Sequence, residues 1–225
     1  MLDHLRSGVT RVLSPLARML LRLGVTPDMV TIGGTLGVVV AAMWLFPTGH
    51  LVAGTWTIAV IVFTDALDGI MARESGRSGP WGAFLDSTLD RVADAAIFGG
   101  LLLFFLRQGD DTGVVVAVAC LALGAVVPYA RARAEGLGMT AAVGIAERAD
   151  RIAVALVATL AVGYGAPRAV LVVALGLLAV AAAVTVVQRM AHVRAQVRAG
   201  GGRLPSPVAP LAPGGSTPAG AGESA

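Results

Sequence analysis

Apolar runs long enough to cross a bilayer recur along this chain, and the region between two of them is dense in charge. The stretch from Asp65 to Asp90 reads DALDGIMARESGRSGPWGAFLDSTLD. It carries Asp65, Asp68, Asp86 and Asp90, with Arg73 between the pairs, and is flanked by GTWTIAVIVF and AAIFGGLLLFFL. Lipid offers no hydrogen-bond partner to the backbone, so apolar segments of this length fold as helices. Charges placed among them are costly and face a polar cavity. Carboxylates this dense need neutralising, and a divalent cation does that with oxygen ligands.

The chain is 56% hydrophobic and 14% charged, with a mean hydropathy of +0.79. Soluble domains carry roughly 25% charged residues, so these values indicate an integral membrane protein and exclude a soluble nucleotide-binding enzyme. No G-x-G-x-x-G or Walker pattern is present. The single cysteine, Cys120, lies in an apolar run, which excludes an intrachain disulfide and suits a buried thiol. His4, His50 and His192 are scattered, which argues against zinc. Every basic residue is arginine, and this suits loops at an anionic membrane face better than nucleic-acid binding.

The predicted fold is an all-α integral membrane protein with six transmembrane helices preceded by an N-terminal amphipathic interfacial helix. The expected spans are 28–46, 51–74, 82–107, 112–134, 150–165 and 167–190, joined by short turns such as PTGH, QGDD and YGAP. Residues 1–25 carry leucine and valine at helical spacing between arginines and form the interfacial helix. Residues 26–195 form the membrane domain, and 196–225, rich in Pro, Gly and Ala, form a disordered tail. Arg107 and Arg168 fall at one membrane face and the other arginines at the opposite one. The positive-inside rule makes that second face cytoplasmic, with both termini and the aspartates on it.

Asp65 and Asp68 are three apart, and Asp86 and Asp90 four apart, so each pair shares a helix face. The link between Arg73 and Gly82 is short, which predicts antiparallel neighbouring helices with all four carboxylates converging on Mg²⁺ or Mn²⁺. Gly69 and Ala72 leave room beside them, and Arg73 supplies a planar donor fork suited to phosphate. Metal, small residues and arginine together suggest a bound diphosphate.

The pattern D-x-x-D-G-x-x-A-R, eight residues, then G-x-x-x-D-x-x-x-D resembles the signature of the CDP-alcohol phosphatidyltransferase family. Here it comprises Asp65, Asp68, Gly69, Ala72, Arg73, Gly82, Asp86 and Asp90, without departure. The resemblance implies transfer of a phosphatidyl group from CDP-diacylglycerol to an alcohol with release of CMP, at a site holding two Mg²⁺ ions, in a homodimer in the cell membrane. It implies metal ligation by Asp65, Asp68, Asp86 and Asp90, with Asp90 also the general base. It further implies contacts to CDP-diacylglycerol from Asp28, Met29, Val30 and Thr31, from Gly69, Ala72 and Arg73, and from Ser78 and Gly79. Asp94 continues the Asp86–Asp90 face and is expected to partner an arginine such as Arg91.

Arg131, Arg148, Arg151 and Arg189 all fall on the cytoplasmic side and are candidates for a cationic pocket that takes a phosphorylated acceptor. TPDMVT, xARAE, I-x-E-R-x-x-R and V-Q-R together are similar to the actinobacterial phosphatidylinositol phosphate synthases, which implies myo-inositol phosphate at those four arginines. Arg131 is a departure from that resemblance, whose pattern usually has lysine there, a change that keeps charge and alters donor geometry. Glycerol 3-phosphate, giving phosphatidylglycerol phosphate, is the alternative acceptor. A divalent-cation transporter would also place carboxylates in a membrane. It would need them across the membrane's depth and would leave Arg73 and the arginine cluster unexplained.

Overall fold

The computed structural model describes residues 14–76, 79–145 and 147–200, except for the side chains of 64–66. The described residues are all-helical. The chain is helical over 14–22 (α1), then forms α2 (Pro27–Leu45), α3 (Leu51–Glu74), α4 (Pro80–Gln108), α5 (Asp111–Glu135), α6 (Arg148–Gly163) and α7 (Arg168–Arg198). Among the described residues α2, α3, α5 and α7 are long and apolar enough to cross a membrane. α4 is 29 residues long, but its first half carries Asp86, Asp90, Arg91 and Asp94; α6 has 16 residues.

Local chemistry sets the helix ends. Thr26 caps α2, its hydroxyl oxygen accepting from the Met29 N–H at 3.3 Å, and Pro27 follows in the first turn, where its missing N–H costs nothing. At the opposite end of the bundle Gly109 adopts φ 65° and closes α4, and the Asp110 carboxylate then accepts from Gly113 N–H at 2.9 Å to open α5. α7 runs to Arg198, past the expected end at 190, because the sequence stays free of Gly and Pro after the apolar run stops. Gln196 ties that extension down, donating to Thr140 O at 2.6 Å and accepting from Thr140 N–H at 3.0 Å.

The six long helices pack in a closed circuit: α2 on α3, α3 on α6, α6 on α7, α7 on α5, α5 on α4, and α4 back on α2. Buried residues of all six form one core, including Phe46, Ile58, Phe98, Leu101, Phe105, Cys120 and Leu175. Large apolar side chains such as Trp44, Val60, Val115, Val173 and Leu177 point outward, as a lipid-facing surface requires. The main neighbour of both α3 and α4 is α2, and the charged ends of α3 and α4 face one cavity lined by Asp68 and Asp86. Carboxylates on facing ends repel, and a gap between them accommodates a ligand.

Gly100 explains how α4 closes on α2. A Cβ there would stand 2.3 Å from the Ala42 carbonyl oxygen, a backbone atom that cannot turn aside. Gly100→Val is therefore expected to destabilise the protein by about 3 kcal/mol, the upper end for overpacking. Thermal unfolding in detergent checks this, and a wild-type midpoint would contradict the α2–α4 contact.

Of the N-terminal segment, 14–22 is described and 1–13 is not. Ala17 is fully buried against Leu67, Ile70 and Met71 of α3, while Leu16, Met19 and Leu23 are exposed. The tail beyond 200 lies outside the described residues.

Candidate active site

Two cavities open along the first half of α4. The first, about 310 Å³, is walled by the start of α2 (Pro27, Asp28, Thr31) and the end of α3 (Asp68, Gly69, Ala72, Arg73). Gly79 and the first turns of α4 (Gly82, Ala83, Asp86) complete it. Its glycines keep it open: a Cβ on Gly79 or Gly82 would meet nothing within 4 Å, and one on Gly69 only Arg73 Nη1 at 3.7 Å. Thr31 donates its hydroxyl to Asp68 Oδ2 at 2.5 Å, fixing that carboxylate against α2. Trp81 Nε1 donates to Asp28 Oδ2 at 3.0 Å and joins the first turns of α2 and α4 at the rim.

The second cavity, about 500 Å³, is lined by Asp90 and Arg91 of α4, the end of α5 with Arg131 and Glu135, the segment from Glu147 to Arg151, and Arg189 of α7. It gathers Arg131, Arg148, Arg151 and Arg189 from three helices. Arg148 Nη1 lies 2.9 Å from Asp90 Oδ1, and Arg91 Nη2 lies 3.6 Å from Asp90 Oδ2. Arg131 donates to Glu135 at 2.8 Å. Arg189 is 9% exposed and donates Nε to Val143 O at 2.9 Å and Nη1 to Val127 O, so it straps the 140–147 segment to α5 and α7 as well as facing the cavity. Gly144 permits that strap: at φ 142° it lies under Thr185, where a Cβ would come within 2.3 Å of the threonine methyl.

Arg148 and Arg151 stand in the first turn of α6, where the helix dipole disfavours cations. Carboxylates from α4 hold them there. Arg148 Nε donates to Asp94 Oδ1 at 3.0 Å, and Arg151 Nη2 stands 3.5 Å from Asp94 Oδ2. Asp94 thus pairs with Arg148 and Arg151 rather than with Arg91. Arg151 is only 3% exposed, yet its Nε and Nη1 find no hydrogen-bond partner among the described residues. Buried guanidinium donors without acceptors beside a cavity ask for an anion.

Most of the site residues expected from sequence meet at one of these two places. Asp28, Thr31, Asp68, Gly69, Ala72, Arg73, Gly79 and Asp86 line the first cavity, and Asp90 with the four arginines lines the second. Met29 is exposed, and Val30 packs towards the cluster around Ala17; neither lines the first cavity. Asp65 lies on α3, but its side chain is outside the described residues, as is Ser78. Glu135 and Glu147, the acids of xARAE and I-x-E-R-x-x-R, also line the arginine cavity, although neither was expected as a site residue.

A metal fits the chemistry of these donors. Asp68, Asp86 and Asp90 offer hard oxygen ligands with no histidine or cysteine among them, the set preferred by Mg²⁺ or Mn²⁺ over zinc. Among the described residues, which do not include the Asp65 side chain, no three such side chains are gathered closely enough to ligate one ion.

Residues 24–187 match the family model of CDP-alcohol phosphatidyltransferase. The chain belongs to that family. Among its relatives within the CDP-alcohol phosphatidyltransferases is the phosphatidylinositol phosphate synthase of Cutibacterium acnes, 48% identical over 203 residues, which span 86% of this chain and 98% of that one. The synthase of the same name from Streptomyces avermitilis is 47% identical over 198 residues, 85% of this chain and 81% of its own. The crystal structure of the Mycobacterium tuberculosis phosphatidylinositol phosphate synthase with CDP-DAG bound superposes with a TM-score of 0.78 at 41% identity, covering 81% of this chain and 94% of the other. The structure of that protein with manganese and citrate gives 0.77 at 40% identity, covering 81% and 88%. As a CDP-alcohol phosphatidyltransferase, this chain is an enzyme.

Proposed function

We propose that this chain transfers the phosphatidyl group of CDP-diacylglycerol to myo-inositol phosphate, giving phosphatidylinositol phosphate and CMP. The observation that carries the choice of acceptor is the convergence of Arg131, Arg148, Arg151 and Arg189 on one cavity that also contains Asp90. A phosphate monoester is the natural occupant of such a cluster. The names of the relatives support the same acceptor.

In this reading the first cavity takes the cytidine diphosphate of the donor lipid. Gly69, Ala72, Gly79 and Gly82 leave the space, Arg73 offers its fork to a phosphate, and Asp28 and Thr31 line the α2 side. Asp65, Asp68, Asp86 and Asp90 would hold two divalent ions, Mg²⁺ by preference and Mn²⁺ as a substitute. Such ions neutralise a diphosphate and stabilise a departing phosphate oxygen. The arginine cavity orients the acceptor so that its hydroxyl faces Asp90. Asp90 receives the hydroxyl proton. The acceptor oxygen bonds to the phosphorus that carries diacylglycerol, and the bond from that phosphorus to CMP breaks. Asp86 lines the first cavity and Asp90 the second, one helical turn apart or about 6 Å along α4. A single turn of helix thus separates the donor side from the acceptor side.

We further infer that all six long helices span the membrane, α4 and α6 included, with α1 part of an amphipathic helix at its surface. The active site and both termini then face the cytoplasm in the plasma membrane, as arginine placement supports. A homodimer is the assembly the resemblance implies.

Purified protein in detergent, given CDP-diacylglycerol and one acceptor at a time, tests the assignment. Myo-inositol phosphate is expected to support CMP release and free myo-inositol is not. Turnover with glycerol 3-phosphate in place of inositol phosphate would overturn the acceptor and leave the family chemistry intact.

A further inference from the structure

We propose that Asp94 is a positioning residue that sets the two guanidinium groups through which Arg148 and Arg151 receive the acceptor. This rests on the reading above that the arginine cavity takes a phosphorylated acceptor.

Asp94 is 4% exposed and lines neither cavity, so it does not touch the substrates. It stands one turn beyond Asp90 on the same face of α4. Both of its oxygens are committed, Oδ1 to Arg148 Nε at 3.0 Å and Oδ2 to Arg151 Nη2 at 3.5 Å. One carboxylate therefore grips two arginines that begin the same helix.

Three consequences follow from that geometry. An arginine side chain has many rotamers, and its planar fork recognises phosphate only when its plane is fixed. Asp94 fixes both planes from behind the cavity wall. It leaves Arg148 Nη1 at the front, 2.9 Å from Asp90, and leaves Arg151 Nε and Nη1 without acceptors. It also supplies the negative charge that lets two cations sit at a helix N-terminus, with Arg91 close by. Loss of that charge would leave Arg151 buried without its counter-ion, and a guanidinium in that state moves or draws in water.

The test is steady-state kinetics of purified full-length wild type, Asp94→Asn and Asp94→Glu, varying each substrate in turn. Wild type is assayed first with myo-inositol phosphate and with glycerol 3-phosphate. If only the second serves, the acceptor proposed above is wrong, and Asp94 is scored on that phosphorylated acceptor instead. If neither serves, both proposals fall. Asp94→Asn keeps the shape and removes the charge; it is expected to raise the acceptor KM by about 10–100-fold, the usual effect of losing a residue that orients ligands. The KM for CDP-diacylglycerol should stay at its wild-type value. Asp94→Glu keeps the charge but displaces it by one methylene, and is expected to raise the same KM by a smaller factor. An unchanged acceptor KM in either variant overturns the proposal. So does an equal loss towards both substrates, the outcome of a purely structural role. Should Asp94→Asn not fold, Asp94→Glu decides the matter by the same readings.

Discussion

Asp90→Asn is expected to reduce phosphatidyl transfer by about 10²–10⁴-fold, the range general bases contribute, while CDP-diacylglycerol still binds. Asparagine has the same shape as aspartate and keeps an oxygen that can accept from Arg148, which now lies 2.9 Å from the carboxylate. It cannot take a proton from a hydroxyl. The first cavity, built from α2, α3 and the start of α4, does not include Asp90, so the donor lipid keeps its walls. The measurement pairs a rate assay at saturating substrates with equilibrium binding of CDP-diacylglycerol. Turnover near the wild-type rate would remove Asp90 from proton transfer. Loss of donor binding in step with rate would make Asp90 a metal ligand alone.

Chelation is expected to have an effect of similar size. EDTA should lower the rate by roughly 10³-fold, equivalent to several kcal/mol of charge stabilisation, and excess Mg²⁺ or Mn²⁺ should restore it. The reason lies in the walls of the first cavity. A diphosphate must enter beside Asp68 and Asp86, and among the described residues Arg73 is the only cation lining that space. One guanidinium cannot offset two carboxylates and a diphosphate together. Asp68→Ala should raise the cation concentration needed for half-maximal rate. Full activity in a sample shown by elemental analysis to be free of divalent metal would end the oxygen-ligated metal reading.

Much of the fold was legible because it rests on local rules. Five of the six long helices end within a few residues of the limits set by apolar runs and by Gly, Pro and Asp at the turns. The exception, α7, continued because polar residues such as Gln188 and His192 do not stop a helix; only capping, Gly or Pro does. The aspartate pairs were legible because their spacing matches a helix turn. What spacing does not carry is which helix meets which. Asp94 shares a face with Asp90, but its partners come from α6, 54 and 57 positions along the chain. Asp94 does partner arginine as expected, but Arg91, nearer to it in sequence, pairs with Asp90 instead. That α2 is the main partner of α4 was equally invisible, since it depends on Gly100 admitting α4 to the backbone of α2. In TPDMVT, the cap at Thr26 and the proline after it account for a third of the motif as a helix start, and different faces explain the rest: Asp28 and Thr31 turn to the cavity while Met29 and Val30 turn away.

The pairing of α4 with α6 also bears on how the protein is made. α4 carries Asp90 and Asp94 into the bundle, and the arginines that neutralise them begin α6, which leaves the ribosome later, after the whole of α5. α4 and α6 are also the two long helices that hydropathy alone does not commit to the bilayer. Each is a poor passenger by itself, one for its acids and the other for its arginines and its length. On the proposed six-span topology, their ion pairs would make them acceptable to lipid as a unit, and membrane integration of α4 is expected to be completed only once α6 has been synthesised.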